Sequence, residues 1–181
     1  MNKVDYPVEN VRHWLEPGPV LLISSRFENE HNIMTLGWHT VLEFSPSLVG
    51  LMISQGNHSF ELIKASGECV INLPTEEMAE TVAKIGNCSG VREDKFQRFG
   101  LHEEPGTVVG APGIAECHAS FECRLYDDAL VDNYNFFIFE VVKAWVRPKP
   151  QWPRTLHYAG AGQFRTDGDV LDCKKWFTKV S

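Results

Sequence analysis

The chain has 181 residues, a hydrophobic fraction of 43% and a formal net charge of −7. This length suffices for one sizeable core and no polar tract divides the chain, which predicts a single domain over residues 1–181 with its core at about 12–165. The acidic balance disfavours nucleic acid and anionic membranes as partners, and without a secretory leader or a bilayer-length apolar stretch we expect a cytoplasmic protein.

Strand patterns fill the first third of the chain. Short apolar and β-branched runs bounded by turn residues are typical of β-strands. Three such runs predict an antiparallel meander, namely Val20–Ser25, Met34–Phe44 and Leu48–Ser54.

The middle of the chain changes to helical spacing. The predicted helices are Ser59–Ser66, Pro74 to about Gly86, and Asp94–Phe99. Ser59 is a plausible N-cap of the first helix, and we expect Gly67 and Gly100 to end the first and third helices. The apolar run Cys69–Leu73 between the first two helices predicts another strand.

Two long strand patterns follow. Ala115–Tyr126 alternates between apolar and polar residues, which predicts one buried face and one face in water. Asn135–Val146 is almost continuously apolar, as in strands that are covered on both sides. Taken together, about six strands and three short helices predict a mainly β protein, with a closed or partly closed barrel that carries a few helices.

The turn before the first helix has the groups that bind a phosphate. The run Gln55–Ser59 offers an amide, a flexible glycine, an imidazole and a hydroxyl beside the N–H groups of a helix N-terminus, which attract anions. Lys95 would add a positive charge. The alternative interpretation is that Ser59 only caps its own helix and that Lys95 is simply solvated.

The preceding segment, Asn32–Trp38, suits a flat ring. Asn32 and Thr35 can form hydrogen bonds to ring carbonyls and nitrogens, and the indole of Trp38 can cover the ring. An ordinary strand with a polar face and a core tryptophan is the alternative. Together, the segment and the turn predict a phosphate-bearing heteroaromatic ligand such as flavin mononucleotide (FMN).

Other chemistries lack their signatures in the sequence. His31 and His39 have no carboxylate or cysteine neighbours at ligand spacing, so no metal site is predicted. The five cysteines form no C-x-x-C pair and are expected to be reduced thiols. The sequence contains no nucleophile-elbow, P-loop or Rossmann motif.

Five segments, taken in order, resemble the flavin reductase-like proteins, and among them the flavoredoxins. They are Asn32–Trp38, Ser45–Val49, His58–Ile63, Val70–Leu73 and Asp94–Phe96. The resemblance is strongest over Pro19–Leu101 and extends more weakly to Phe164. It implies an FMN-binding split β-barrel, which is a Greek-key-like antiparallel barrel with a few short helices. It also implies non-covalent FMN and a homodimer with flavin sites near the subunit interface.

The resemblance further implies which residues bind the cofactor. Ring and ribityl contacts are expected from Asn32, Met34, Thr35, Gly37 and Trp38, and phosphate-side contacts from Ser54, Asn57, His58, Ser59, Ser89 and Lys95. Phe164 is expected to close over the flavin. Many relatives carry an arginine near Asn57, so the phosphate is expected to rest more on Lys95, His58 and backbone N–H groups here. Many also carry a histidine near Tyr134, which this chain lacks.

The implied activity is NAD(P)H-dependent hydride transfer to the bound flavin, with electrons passing on to a protein or small-molecule acceptor. The sequence singles out no catalytic acid or base. One alternative is a flavoredoxin-like FMN electron carrier, or a flavin-binding module, without NAD(P)H turnover of its own. Another is a barrel that binds a different small apolar ligand.

Overall fold

The computed structural model describes residues 18–171 and residue 173. The strands in this part of the chain are β1 (Leu21–Phe27), β2 (Glu30–Leu36), β3 (His39–Glu43), β4 (Leu48–Met52), β5 (Glu68–Leu73), β6 (Glu103–Glu104), β7 (Gly113–Ile114), β8 (Ala119–Asp127), β9 (Phe136–Val146), β10 (Leu156–Gly160) and β11 (Gln163–Thr166). The helices are α1 (His58–Ser66), α2 (Ala79–Gly86), α3 (Lys95–Phe99) and α4 (Val131–Tyr134), and a 3-10 turn (Glu76–Met78) precedes α2. The prediction of a mainly β protein is confirmed.

The largest sheet has seven strands in the order β2-β1-β5-β8-β9-β4-β3. Its two edge strands, β2 and β3, are consecutive in the chain, and only Gly37 and Trp38 lie between them. One core cluster combines Met34 of β2 with Leu51 of β4 and Phe139 of β9, so both halves of the sheet enclose the same interior. The sheet therefore curls into an antiparallel barrel whose edge strands meet at one corner.

Helices cover one end and one side of this barrel. Phe60 of α1 belongs to the barrel interior. Ile85 of α2 and Phe96 of α3 pack on Leu22 and Ile33, which point outward from β1 and β2. Because β1 is covered on both faces, its first three residues, Leu21–Ile23, are all apolar rather than alternating.

The predicted helix ends are confirmed, but the predicted starts of the first two helices are wrong. The second helix does not start at Pro74, because a 3-10 turn begins at Glu76 and α2 begins at Ala79. Gly67 and Gly100 have φ values of 67° and 61°, and their N–H groups bond back to the preceding turn. Such left-handed positions favour glycine because other side chains are strained there. Helix α1 begins at His58 with Asn57 as its N-cap, so Ser59 lies inside the helix. Within the described residues, no helix has the length and apolar character needed to cross a membrane.

The predicted meander is wrong within its second strand. The segment Met34–Phe44 is two strands rather than one, because the chain leaves β2 at Leu36 and enters β3 at His39. Strands β1 and β2 pair with each other, as do β3 and β4, but β2 and β3 form opposite edges of the sheet. The hydrophobic pattern does not show this corner, since both strands continue the same apolar run.

Both long-strand predictions need correction. Ser120 and Glu122 of β8 belong to the face that was expected in water, yet both are buried. The segment from Thr107 to Val109 lies over this face, and its N–H groups donate to Glu122. Strand β9 is not covered throughout, because it is exposed from Lys143 to Val146.

Candidate functional site

A cavity of about 790 Å³ lies where the start of α1, strand β2 and the connection between α2 and α3 meet. This volume is within the usual range for small-molecule sites. The predicted site residues that line it are Asn32, Met34, Asn57, His58, Ser89 and Lys95. The other lining residues are Gly56, Gly86, Asn87, Cys88, Gly90, Arg92, Glu93 and Arg98. Half of the twelve predicted site residues are thus brought to one cavity.

Lys95 is the buried cation of this cavity. The residue is only 4% exposed, and its Nζ donates to the carbonyl oxygens of Ile33 at 2.9 Å and Ile85 at 3.0 Å. An ammonium group has three protons, so one remains for an acceptor in the cavity. Burial lowers the pKa of Lys95, and the neighbouring Cys88 and Glu93 oppose this shift. The alternative that Lys95 is simply solvated is therefore wrong.

Asn32 is a buried amide beside the cavity. Its Nδ2 donates to the hydroxyl of Ser59 at 2.9 Å, and Ser25 donates to the same hydroxyl at 3.1 Å. Its Oδ1 is buried and has no hydrogen-bond partner among the described residues. Gly90 packs directly on this amide, and a Cβ at that position would overlap Oδ1. A buried carbonyl oxygen without a donor is costly, so a ligand N–H would stabilise it.

Ser59 contacts the site through Asn32 and does not line the cavity. Its hydroxyl is fully buried, lies outside the cavity lining and fixes the amide of Asn32. The alternative that Ser59 caps its own helix is wrong, because Asn57 is the N-cap. The turn before α1 is shaped by Ser54, whose backbone oxygen accepts from the N–H of Asn57 at 2.9 Å. His58 is the first residue of α1, and its Nε2 lies 3.5 Å from Glu30 Oε2.

Two arginines of the cavity were missed by the sequence analysis. Arg98 forms an ion pair with Glu93, whereas the guanidinium of Arg92 has no polar partner among the described residues. Arg92 comes from the irregular connection between α2 and α3, where no periodic pattern assigns a direction to a side chain. Burial raises the pKa of the neighbouring Cys88 thiol, and Glu93 adds to the shift, while the charge of Lys95 opposes it.

The remaining predicted residues lie outside the cavity lining. Thr35 donates its hydroxyl to the carbonyl of Val82 at 2.8 Å, which ties β2 to α2. Gly37 borders open space, and Trp38 is 48% exposed at the β2–β3 corner. Phe164 packs against Tyr158 of the β10–β11 hairpin, with ring centroids 5.8 Å apart. Their contacts with a cofactor stay predictions.

The cavity as a whole is suited to an anion. Lys95, Arg92, Arg98 and His58 surround it, and Glu93 is the carboxylate that lines it. The first turn of α1 adds backbone N–H groups and the positive end of the helix dipole. A phosphate is the anion that matches a buried ammonium, a guanidinium and a helix N-terminus together.

Comparison with known proteins identifies the family. The model of the flavin reductase like domain matches residues 13–166. A relative from Archaeoglobus fulgidus, itself uncharacterized, is 35% identical over 135 residues, which are 75% of this chain and 76% of that protein.

Solved structures agree with this match. The FMN-binding domain of a flavin reductase-like enzyme from Shewanella baltica is 25% identical, with a TM-score of 0.80 over 93% of this chain and 95% of that chain. Flavoredoxin from Methanosarcina acetivorans has the same fold, with 22% identity and a TM-score of 0.82 over 99% and 98% of the two chains. The chain therefore belongs to the flavin reductase-like domain family and has its split-barrel fold.

Proposed function

We propose that this protein binds FMN non-covalently and acts as an oxidoreductase, with the phosphate of FMN in the cavity around Lys95. The observation that carries the proposal is the buried ammonium of Lys95, which has two carbonyl partners and one proton left for the cavity. A dianionic phosphate compensates for the cost of burying this charge. The family match supports a flavin as the phosphate-bearing ligand.

The residues around the cavity fit the rest of such a ligand. Arg92 and the N–H groups at the start of α1 would hold phosphate oxygens. The unpartnered Oδ1 of Asn32 would accept a hydrogen bond from an N–H or O–H group of the ligand. The redox chemistry is supplied by the flavin when it is bound, with NADH or NADPH as the proposed electron donor.

A comparison of FMN with riboflavin tests the phosphate assignment. Lys95→Met keeps much of the aliphatic bulk and removes the charge, so it should weaken FMN binding by about tenfold or more, since a charge-assisted hydrogen bond contributes roughly 1.5–3 kcal/mol. Riboflavin lacks the phosphate and should bind nearly as before. Quenching of flavin fluorescence measures both dissociation constants.

Lys84→Met is the matched control, because Lys84 lies on α2 in an exposed ion pair with Glu80 and does not line the cavity. It should leave both dissociation constants unchanged. Equal losses of FMN and riboflavin in Lys95→Met would refute the phosphate assignment.

The visible spectrum of the purified protein separates a reductase from an electron carrier. Anaerobic addition of NADH or NADPH should bleach a reductase within seconds. A carrier would stay oxidised until its own donor is supplied. A protein that is colourless and takes up no added flavin would refute the whole proposal.

We also propose that the protein is a homodimer. Strand β3 is an edge of the large sheet, and its outer side pairs with no strand of the described chain. Val41 on this strand is 69% exposed, and Phe44 just after it is 91% exposed. Exposed apolar side chains beside an unpaired strand edge favour association with another chain. Trp38 adjoins this surface, which would bring the subunit contact close to the predicted flavin contacts.

A further inference from the structure

Two adjoining cavities lie on the face of β8 and β9 that points away from the barrel interior. Their volumes are about 300 Å³ and about 280 Å³. Both are lined by Glu104, Ser120 and Trp145, so together they form one groove, which we call the β8–β9 groove. None of its lining residues lines the cavity around Lys95. The groove is therefore a separate place in the fold, with room for a small molecule.

His118 is a buried imidazole of this groove that lacks a hydrogen-bond partner. The residue is 5% exposed and lines the larger of the two cavities. No described residue forms a hydrogen bond or an ion pair with its ring. A neutral imidazole has one donor and one acceptor, and leaving both without partners in a buried place is costly. A polar ligand in the groove would satisfy them.

Trp145 gives the groove an aromatic surface that is fixed but not covered. The residue is 47% exposed, yet its Nε1 donates to Glu122 Oε1 at 2.8 Å. Lys143 Nζ lies 4.6 Å from the ring centroid of Trp145. These two contacts hold the indole in one orientation while part of it faces both cavities. An exposed indole of this kind packs well against a flat ring.

Two opposite charges line the groove and do not pair with each other. The guanidinium of Arg147 is anchored, because its Nη2 donates to the backbone oxygen of Ala115 at 2.6 Å. The backbone N–H of Arg147 donates to the oxygen of His118 at 2.9 Å, which places these two residues side by side. Neither Arg147 nor Glu104 forms an ion pair with a described residue. A ligand with one negative and one positive group would pair with both.

Nucleophilic and metal chemistry do not fit this groove. Cys117 lines it, but burial raises the pKa of its thiol, and a thiol that stays protonated is a poor nucleophile. In the part of the chain that the structure describes, no cluster of histidine, cysteine and acidic side chains could hold a metal ion. The carboxylate of Glu104 would repel a ligand that carries only negative charge, such as a phosphate.

We propose that the β8–β9 groove binds a free aromatic amino acid. The carboxylate of the ligand pairs with Arg147 and accepts from His118, and its ammonium group pairs with Glu104. The ring of the ligand packs on Trp145. This inference goes beyond the proposed function, because the groove is separate from the cavity around Lys95 and its ligand would bind with or without a flavin.

Isothermal titration calorimetry with L-phenylalanine and three analogues tests the ligand class. L-phenylalanine should bind with a dissociation constant of about 1 mM or lower, as expected for a ligand of this size. Phenethylamine lacks the carboxylate, 3-phenylpropionate lacks the ammonium group and L-leucine lacks the ring. Each should bind about fivefold or more weakly, since one contact is lost. Equal binding of all four compounds, or no binding of L-phenylalanine, would overturn the proposal.

Arg147→Met tests which group of the ligand this arginine contacts. It should weaken L-phenylalanine binding about tenfold, because a charge-assisted hydrogen bond is lost, and should leave phenethylamine binding unchanged. Arg165→Met is the matched control, because Arg165 is an exposed arginine of β11 that does not line the groove. Equal losses for L-phenylalanine and phenethylamine in Arg147→Met would overturn the proposed pairing.

His118→Phe separates a role in binding from a role in the fold. Phenylalanine keeps a flat ring and removes the two nitrogens, so L-phenylalanine binding should weaken about fivefold. The free energy of unfolding without ligand, measured in urea, should not fall, because two groups without partners disappear. A destabilised variant with unchanged binding would overturn the proposal, since His118 would then serve only the fold.

A titration of L-phenylalanine at saturating FMN separates the groove from the cavity around Lys95. The dissociation constant of L-phenylalanine should be the same with and without FMN, because the two places share no lining residue. Competition between the two ligands would place L-phenylalanine in the cavity around Lys95 and would overturn the proposal.

Discussion

Lys95 is buried, which is unusual for a lysine, and its surroundings explain why the fold tolerates this burial. Lysine is rarely buried without partners, since a desolvated ammonium is unfavourable. Here two backbone carbonyls accept from it, one from β2 and one from the end of α2. Burial lowers its pKa because these neutral partners do not compensate fully for lost water. An anionic ligand would reverse that shift.

This shift predicts an alkaline limit to FMN binding. Above its lowered pKa, Lys95 is neutral and offers no charge to a phosphate, so FMN affinity should fall as the pH rises. Binding stabilises the charged form, so FMN should raise the pKa of Lys95 and take up protons in this range. Dissociation constants between about pH 7 and pH 10 check this. In Lys95→Met, FMN affinity should not fall with rising pH. If it falls as much as in the wild type, a group other than Lys95 causes the decline.

Gly90 predicts a second effect at a single residue. A methyl group there would overlap Oδ1 of Asn32, so Gly90→Ala should displace the amide and destabilise the protein by about 1–3 kcal/mol, as overpacking usually does. Flavin binding should weaken with or without the phosphate. Urea unfolding and flavin titration measure both effects. Gly168→Ala is the control, because a Cβ there meets open space. Unchanged stability in Gly90→Ala would contradict this prediction and would show that the connection between α2 and α3 moves to accommodate the methyl group.

At the scale of elements, Glu122 holds the loop that covers β8. Its carboxylate accepts from the N–H groups of Thr107, Val108 and Val109 and from the indole of Trp145. Burial alone would raise the pKa of Glu122. The hydrogen bonds outweigh burial and lower the pKa from 4.5 to about 2.

The lowered pKa predicts acid-sensitive stability. As the pH falls, Glu122 takes up a proton in the unfolded chain before it does so in the folded chain. Its contribution to the free energy of unfolding is therefore complete above about pH 4.5 and is lost toward pH 2. Glu122→Gln should reduce the free energy of unfolding by about 1–3 kcal/mol at pH 7, and by progressively less in acid. Denaturant unfolding at several pH values measures this. Glu80→Gln is the exposed control, since it removes only a solvent-screened ion pair with Lys84 and should cause a much smaller loss. A pH-independent loss in Glu122→Gln would contradict the assignment.

The elements also show which parts of the fold a sequence can predict. Short sequence patterns predicted the helix ends correctly, because a helix end depends on local residues such as Gly67 and Gly100. They failed for Ser120 and Glu122, because alternation predicts which residues share a face but not what covers that face. The backbone N–H groups of Thr107–Val109 donate to Glu122, and Ser120 donates its hydroxyl to Asn72 Oδ1 on the neighbouring strand β5. No short window of sequence reveals either partner.

The same limit applies to the candidate site. Asn32, His58 and Lys95 were predicted because they lie in recognisable segments, and the fold brings them to one cavity. Arg92 was missed because it lies in an irregular connection, where its direction depends on the packing of α2 and α3. Ser59 was expected at the phosphate but bonds to Asn32 instead, since a shift of one residue in the helix start turns its side chain inward.

At the scale of the whole molecule, barrel closure depends on one corner. The apolar run from Met34 to Phe44 predicted a single strand, yet the chain turns at Gly37 and Trp38 and continues on the opposite edge of the sheet. This two-residue turn joins β2 and β3, the two edge strands of the sheet. Among the described residues it also leaves β3 with an unpaired side, and Val41 and Phe44 beside that side are exposed apolar residues.

That surface predicts the effect of a charge on assembly. Val41→Asp places a carboxylate on a residue that is 69% exposed here and would be buried between two subunits. Burying an unpaired charge is costly, so the dimer dissociation constant should rise by roughly tenfold or more. Sedimentation velocity over a concentration series measures it. Val170→Asp is the control, because Val170 is 73% exposed and distant in sequence from β3. A wild type that is monomeric at every concentration would refute the dimer. A dimer that is unaffected by Val41→Asp would place the interface elsewhere, and flavin binding near Trp38 would then not depend on the partner subunit.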